Sequence, residues 1–187
     1  ICRLNWRALK SLQQYSIPFT GLKLGIHDFE FEVNDAFFSE FEYSLVKSGS
    51  LKVELELDKQ ETMMILHFHI SGEMKLGCDV CLADYPYSVE IKERQIVKLN
   101  GNEDLEDDTE EIIVLKRSET EINVATLIYE FITLAVPYIS RCADEGNTEW
   151  CDSEMIAKLQ QLAPGPKEVE EEEIADPRWE ALKKIKK

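Results

Sequence analysis

"GSLKVELELDKQETMMILHFHISGEMKLGCDVCLADYPYSVEIKERQIVKL" runs from Gly49 to Leu99. Its first part alternates strictly. Leu51, Val53, Leu55 and Leu57 fall on one side of an extended chain, and Lys52, Glu54, Glu56 and Asp58 on the other. That is the two-residue period of a strand with one buried face. Asp58-Lys59-Gln60 suits a hairpin loop. In the next strand Met64, Leu66, Phe68 and Ile70 share one face, and Met63, Ile65, His67 and His69 share the other. This strand leads straight into "CDVC", and "YPYSVEIKERQIVKL" (Tyr85 to Leu99) returns as a third. The simplest topology is an antiparallel meander with the cysteine knuckle at a hairpin tip.

Outward from this block, "HDFEFEV" (His27 to Val33) alternates in the same way, after turn points at Gly21 and Gly25. Asn34 or Asp35 can cap a short helix whose apolar side is Phe37, Phe38 and Phe41. Downstream, Asn100 to Glu111 holds seven acids and no base, a solvated loop. "IIVLKR" (Ile112 to Arg117) is a short strand. "EINVATLIYEFITLAVP" (Glu121 to Pro137) is the strongest helix. Asn123 is its cap; Leu127, Ile128, Phe131, Ile132 and Ala135 form its apolar stripe; Pro137 stops it. "DSEMIAKLQQL" (Asp152 to Leu162) is a further helix, capped by Asp152 or Ser153, with Met155, Ile156, Leu159 and Leu162 inward.

This pattern predicts an α+β domain over 15–163: a mainly antiparallel, curved sheet with a packed apolar helix and C-terminal helical appendages. Residues 1–14 are a basic arm or upstream sequence, since Arg3, Arg7 and Lys10 have no acid among them through Lys10. Residues 164–175 read as an acidic linker. Residues 176–187 read as an amphipathic basic helix, with Asp176 as cap and Pro177 in the first turn. Trp179, Leu182 and Ile185 share one side of it, and five bases face one acid from Arg178 onward. That side suits docking into a partner's groove.

The 187 residues carry a net charge of −16. Such a chain repels phosphate over most of its surface, so a broad nucleic-acid groove is excluded and a basic protein partner is favoured. There is no signal-peptide core and no apolar run of about 18 residues, which leads us to expect a cytoplasmic protein without membrane contact.

Structural disulfides are rare in that compartment, so Cys78-x-x-Cys81 points to metal or redox chemistry. Two thiolates at this spacing make half of a tetrahedral Zn²⁺ site. Cys142 and Cys151, in "RCADEGNTEWC", can supply the other half, and His67 and His69 are the alternative ligands. Free buried thiols are the competing structural reading. A thioredoxin-type dithiol fits least, because it opens a helix, and "LADYPY" follows here. There is no G-x-S-x-G, no Gly-rich phosphate loop and no H-E-x-x-H, and the carboxylates lie in solvated charge runs. The chain reads as non-enzymatic, with no small-molecule substrate.

The order of these features carries a resemblance. Cys78–Cys81–Leu82, a long acidic loop, Glu130 and Pro137 of the apolar helix, a cysteine-bearing segment, then Asp176–Pro177–Arg178 and Leu182 resemble the YceD-like family, the large ribosomal RNA accumulation proteins. The resemblance runs from about Tyr15 onward. It implies a bacterial cytosolic factor that supports accumulation of large-subunit ribosomal RNA, in a family described as binding metal and nucleic acid. The second cysteine cluster, denser in many members, is reduced here to Cys142 and Cys151. The expected function is a ribosome-biogenesis factor that binds a basic ribosomal protein or assembly factor. Asp176, Pro177, Arg178, Trp179 and Leu182 would contact that partner, and Cys78, Cys81, Cys142 and Cys151 would hold zinc. The alternatives are a metal-containing protein that binds rRNA directly and a thiol oxidoreductase.

Overall fold

Four antiparallel strands grow from the alternating block. The computed structural model describes residues 10–99, 112–116, 118–142 and 148–162. Along the chain come β1 (Ser16–Ile17), β2 (Gly25–Val33), α1 (Asp35–Ser39), β3 (Gly49–Lys59), β4 (Met63–Gly77), β5 (Asp84–Leu99), β6 (Ile112–Leu115), β7 (Ile122–Asn123), α2 (Ala125–Leu134) and α3 (Ser153–Leu162). The main sheet has the order β2-β3-β4-β5-β6, and β1 and β7 form a separate two-stranded pair. The first three pairings are antiparallel, whereas β6 joins β5 in parallel. The hairpin turn starts two residues beyond the expected Asp58, because Asp58 still pairs with Ile65 and Lys59 with Met64.

Alternation decides which face is buried. Val53, Leu57, Met64, Leu66 and Ile70 are wholly enclosed, and their polar neighbours in the chain face outward. Each such side chain contributes about 2 kcal/mol of burial. An aromatic layer covers this face. Asn34 caps α1 by accepting from the backbone N–H groups of Ala36 and Phe37. Phe37 then meets the ring of Tyr15 at 5.1 Å, and Phe41 stacks on Tyr129 of α2 at 3.9 Å. Phe131 of α2 meets Phe68 of β4 edge-on at 5.2 Å. Such pairs add about 1 kcal/mol each beyond burial.

The cap expected at Asn123 is corrected: Val124 is the N-cap of α2 and makes no side-chain cap bond, while Asn123 ends β7. Its Oδ1 accepts from the Ala125 N–H, while its amide donates to the Leu12 carbonyl and Ser16 Oγ, tying β1 and β7 to the helix start. One close approach requires glycine. Gly72 on β4 has φ +147°, and a Cβ there would lie 2.3 Å from the Ser50 carbonyl oxygen.

The chain forms two units, residues 1–152 and 153–187. In the second, α3 buries none of its residues, and Leu159 and Leu162 are exposed. The inward face expected of Met155, Ile156, Leu159 and Leu162 is therefore corrected: a 3.6-residue apolar period marks a stripe but does not supply what covers it. The expected linker 164–175, the helix 176–187 with its Asp176, Pro177, Arg178, Trp179 and Leu182, and residues 1–9 with Cys2 lie outside the described residues.

Candidate metal centre

Strand β4 delivers the first cysteine. It ends where Gly77 pairs with Asp84, and residues 78–83 make the tip of the β4–β5 hairpin. Two backbone bonds close this loop, Cys78 N–H to the Ala83 carbonyl and Leu82 N–H to the Cys78 carbonyl, both 2.9 Å. The tight turn forces Leu82 to φ +62°, the left-handed region that a leucine enters at a cost of about 1–2 kcal/mol. In return the Val80 and Cys81 N–H groups point at Cys78 Sγ, at 3.4 and 3.5 Å. Backbone donors aimed at a sulfur stabilise it as thiolate, the form that binds metal.

The second loop comes from the end of α2. Ser140 is clasped to the knuckle twice: its N–H donates to Asp79 Oδ2 at 2.7 Å, and its carbonyl accepts from the Asp79 N–H at 2.8 Å. Two residues on, Cys142 Sγ reaches 3.7 Å from Cys81 Sγ. The sulfurs of Cys78, Cys81 and Cys142 all lie within 4.8 Å of one another, and all three residues are buried. The half-buried Cys151 brings its thiol within reach of Cys142 and Cys81. Three of the four cysteines singled out by spacing thus converge, and Cys151 stands outside that group.

The geometry suits a metal. Zn–S bonds of about 2.3 Å at tetrahedral angles place sulfurs roughly 3.8 Å apart, and the Cys81–Cys142 separation is 3.7 Å. The thiols divide electrostatically. Burial pushes Cys78 up, but the N–H groups of Cys81, Cys142 and Val80 and the Cys81 thiol outweigh it and bring Cys78 down to about 6. Burial, with the neighbouring Cys81, Cys78 and Cys151 thiols, pushes Cys142 up to about 12. Burial also raises Cys151. One sulfur is therefore ready as thiolate, and a cation is what would draw the protons from the others.

A thioredoxin-type dithiol does not fit. The motif sits at a hairpin tip, not at a helix N-terminus, and Cys78 and Cys81 are 3% and 1% exposed, closed to an incoming disulfide. The histidine ligands fit no better. His69 lies nine residues up β4 from Cys78, roughly 30 Å at about 3.3 Å per residue. It sits on the outer face between Glu54 at 3.4 Å and Glu90 at 3.3 Å.

That outer face has a regular charge pattern. Register places Asp28 opposite Glu56 and Glu30 opposite Glu54, then His67 and His69, then Arg94 and Lys92. The rows line an open depression of about 880 Å³. Lys52 hydrogen-bonds Glu54 and holds its carboxyl below the ordinary range, and Lys92 does the same for Glu90, with His69 adding to both.

Asp79, Ser140 and Leu82 are the structural discoveries of this site. Leu82 was visible only as part of the "CDVCL" string, and nothing in the spacing of Asp79 and Ser140 announced their double bond across 61 residues.

Comparison with known proteins adds three findings. The chain matches the family described as "Large ribosomal RNA subunit accumulation protein YceD" over residues 66–186. That span starts within β4 and takes in Cys78, Cys81, Cys142, Cys151 and α2; the match starts well beyond Tyr15. A relative from Bacillus subtilis (strain 168), named "Uncharacterized protein YlbN", is 28% identical over 137 residues, covering 73% of this chain and 74% of its own. No solved structure matches significantly.

Proposed function

This chain belongs to the YceD family, the large ribosomal RNA subunit accumulation proteins, and from that premise we propose that it serves large-subunit assembly as a non-catalytic binder of a basic ribosomal protein or assembly factor. The observation that carries the reading is the pair of facing carboxylates on adjacent rows of the outer sheet face, Asp28 with Glu56 and Glu30 with Glu54. Like charges directly opposite destabilise a sheet. Lys52 relieves one pair, at 3.4 Å from Glu30 and 2.9 Å from Glu54. A cationic partner would relieve both. The whole-chain charge of −16 steers such a partner toward the protein and keeps phosphate away.

Cys78, Cys81, Cys142 and Cys151 hold a zinc ion in this reading. The ion supplies structure: it fixes the hairpin tip to the segment after α2 and offers no catalytic step. The C-terminal residues Asp176, Pro177, Arg178, Trp179 and Leu182 add a second contact to the partner. No helix among the described residues is long and apolar enough to cross a membrane.

The test is capture of the tagged full chain from exponentially growing cells, at low and at moderate salt, with sedimentation of what it carries. Recovery of large-subunit precursor particles or of one basic ribosomal protein, weakened by salt, is expected. Loss of large-subunit rRNA on depletion, with no such association at either salt, would refute the binding mechanism. Salt-sensitive binding to protein-free rRNA would instead favour the direct RNA-binding alternative.

A further inference from the structure

Leu82 presents a contradiction. It is a bulky residue held at φ +62°, where glycine is at ease, yet its side chain is 70% exposed and gains little from burial. Strain of this kind, unreturned by packing, is a mark of function. Its surroundings repeat the pattern. Val80 on the same loop is exposed, as are Tyr138 and Ile139 on the loop clasped to it and Trp150 beside Cys151. Tyr138 is 100% exposed. The loops are joined by the two Asp79–Ser140 bonds and by the sulfur contact of Cys81 with Cys142, so the loops that carry Val80, Leu82, Tyr138 and Ile139 meet at one end of the β4–β5 hairpin. Elsewhere along the β3 and β4 ladder most apolar residues alternate inward, Met63 and Ile65 being half-buried on the other face; at this tip they are exposed.

Charge says what covers them. Asp79, Asp84, Glu149 and Asp152 are exposed on the described segments about the cysteines, against Lys75 and Arg141 as the exposed bases there. An apolar tip rimmed by carboxylates suits a lysine- or arginine-rich segment that inserts an aliphatic or aromatic side chain. It does not suit RNA, whose phosphates the rim repels. We propose that Leu82 and Tyr138 are the anchor residues of a docking tip for a basic ribosomal-protein segment, held in shape by the cysteine cluster. This rests on the basic-partner reading above and places that partner's anchor at the knuckle, away from the charged sheet rows.

The experiment uses the full-length chain, labelled, titrated with individually purified proteins of the large subunit from the same bacterium. Wild type is expected to bind one of them. Leu82→Gly removes the side chain and the backbone strain together, so it melts at or above the wild-type temperature, yet it should bind at least tenfold more weakly. Tyr138→Ser should do the same without a change in melting. Equal binding by wild type and both variants overturns the tip proposal and leaves the basic-partner reading standing. Binding of no large-subunit protein by wild type overturns both. A wild-type dimer that Leu82→Gly converts to monomer, or tip-dependent binding of an rRNA fragment, overturns the proposal by giving the tip a different occupant.

Discussion

If the cysteine cluster holds zinc as proposed, chelation should cost the protein a large and specific part of its stability. Three sulfurs within 4.8 Å of one another make three corners of a tetrahedral donor set, and Cys151 is the proposed fourth. If free zinc is buffered at about a thousand times its dissociation constant, binding to the folded form alone stabilises by about 4 kcal/mol. For a chain of this size 1 kcal/mol moves the melting temperature by about 2–4 °C, so chelation should lower it by roughly 8–16 °C. Cys142→Ala separates metal from packing. Losing one small buried side chain costs about 1–2 kcal/mol, so the metal-free variant should melt only a few degrees below metal-free wild type. With zinc buffered as before, the two should differ by most of the metal contribution. Scanning calorimetry on the four samples, with elemental analysis of freshly reduced protein, completes the cycle. An equal response to chelation in wild type and variant, or no response and no zinc in wild type, would refute the reasoning and leave the cysteines as packing residues.

Further outcomes can be checked directly. Gly72→Ala sets a Cβ 2.3 Å from the Ser50 carbonyl oxygen and 2.8 Å from the Leu51 Cα at φ +147°, so urea unfolding should show a loss of more than about 2 kcal/mol. In metal-free protein, ultraviolet titration of the thiolates should show one, Cys78, ionising near 6. Because that value lies below an ordinary thiol's of about 8.5, its stabilisation is fully present above about pH 8.5 and disappears as pH falls through about 6. Cys78→Ala should flatten that part of the stability profile. Metal uptake near neutral pH must expel protons from Cys142 and Cys151, which burial raises, so zinc affinity should rise with pH and calorimetry in buffers of different ionisation enthalpy should record the release. Partial burial of the carboxyl raises Glu130 on α2, although the residue as a whole is exposed; its folded value lies above the unfolded one, so the carboxylate works weakly against folding at neutral pH. Glu130→Gln should melt higher than wild type at pH 7, and the gap should close below about pH 4, where both forms are uncharged.

Much of this fold was legible because strand alternation is local. Leu51 to Leu57 and Met64 to Ile70 declared their buried face, and "CDVC" declared its hairpin tip. Phe37, Phe38 and Phe41 declared a short helix, with Asn34 as cap. What sequence left dark was non-local. Ile122–Asn123 is too short to show a period, and its pairing with Ser16–Ile17 spans the whole sheet in sequence. Ile112–Leu115 read as a strand, but nothing in four residues says that it runs parallel to β5. For the cysteines, spacing offered four ligands and two histidines as rivals. Only the period of β4, which sends His67 and His69 to the outer face, decides between them, and only the Asp79–Ser140 clasp shows how Cys142 arrives.

That clasp also sets an order of events. Strands β3 to β5 are neighbours in the chain and can zip as soon as they exist. Cys81 and Cys142 stand 61 residues apart, and joining them pays a loop-closure entropy that the hairpins largely avoid. The knuckle should therefore close after the β3–β5 hairpins, as should the still longer-range β1–β7 pairing, and protection of the Asp79 amide against deuterium would time it. Until then the meander can be formed while its two cysteine-bearing loops are still apart.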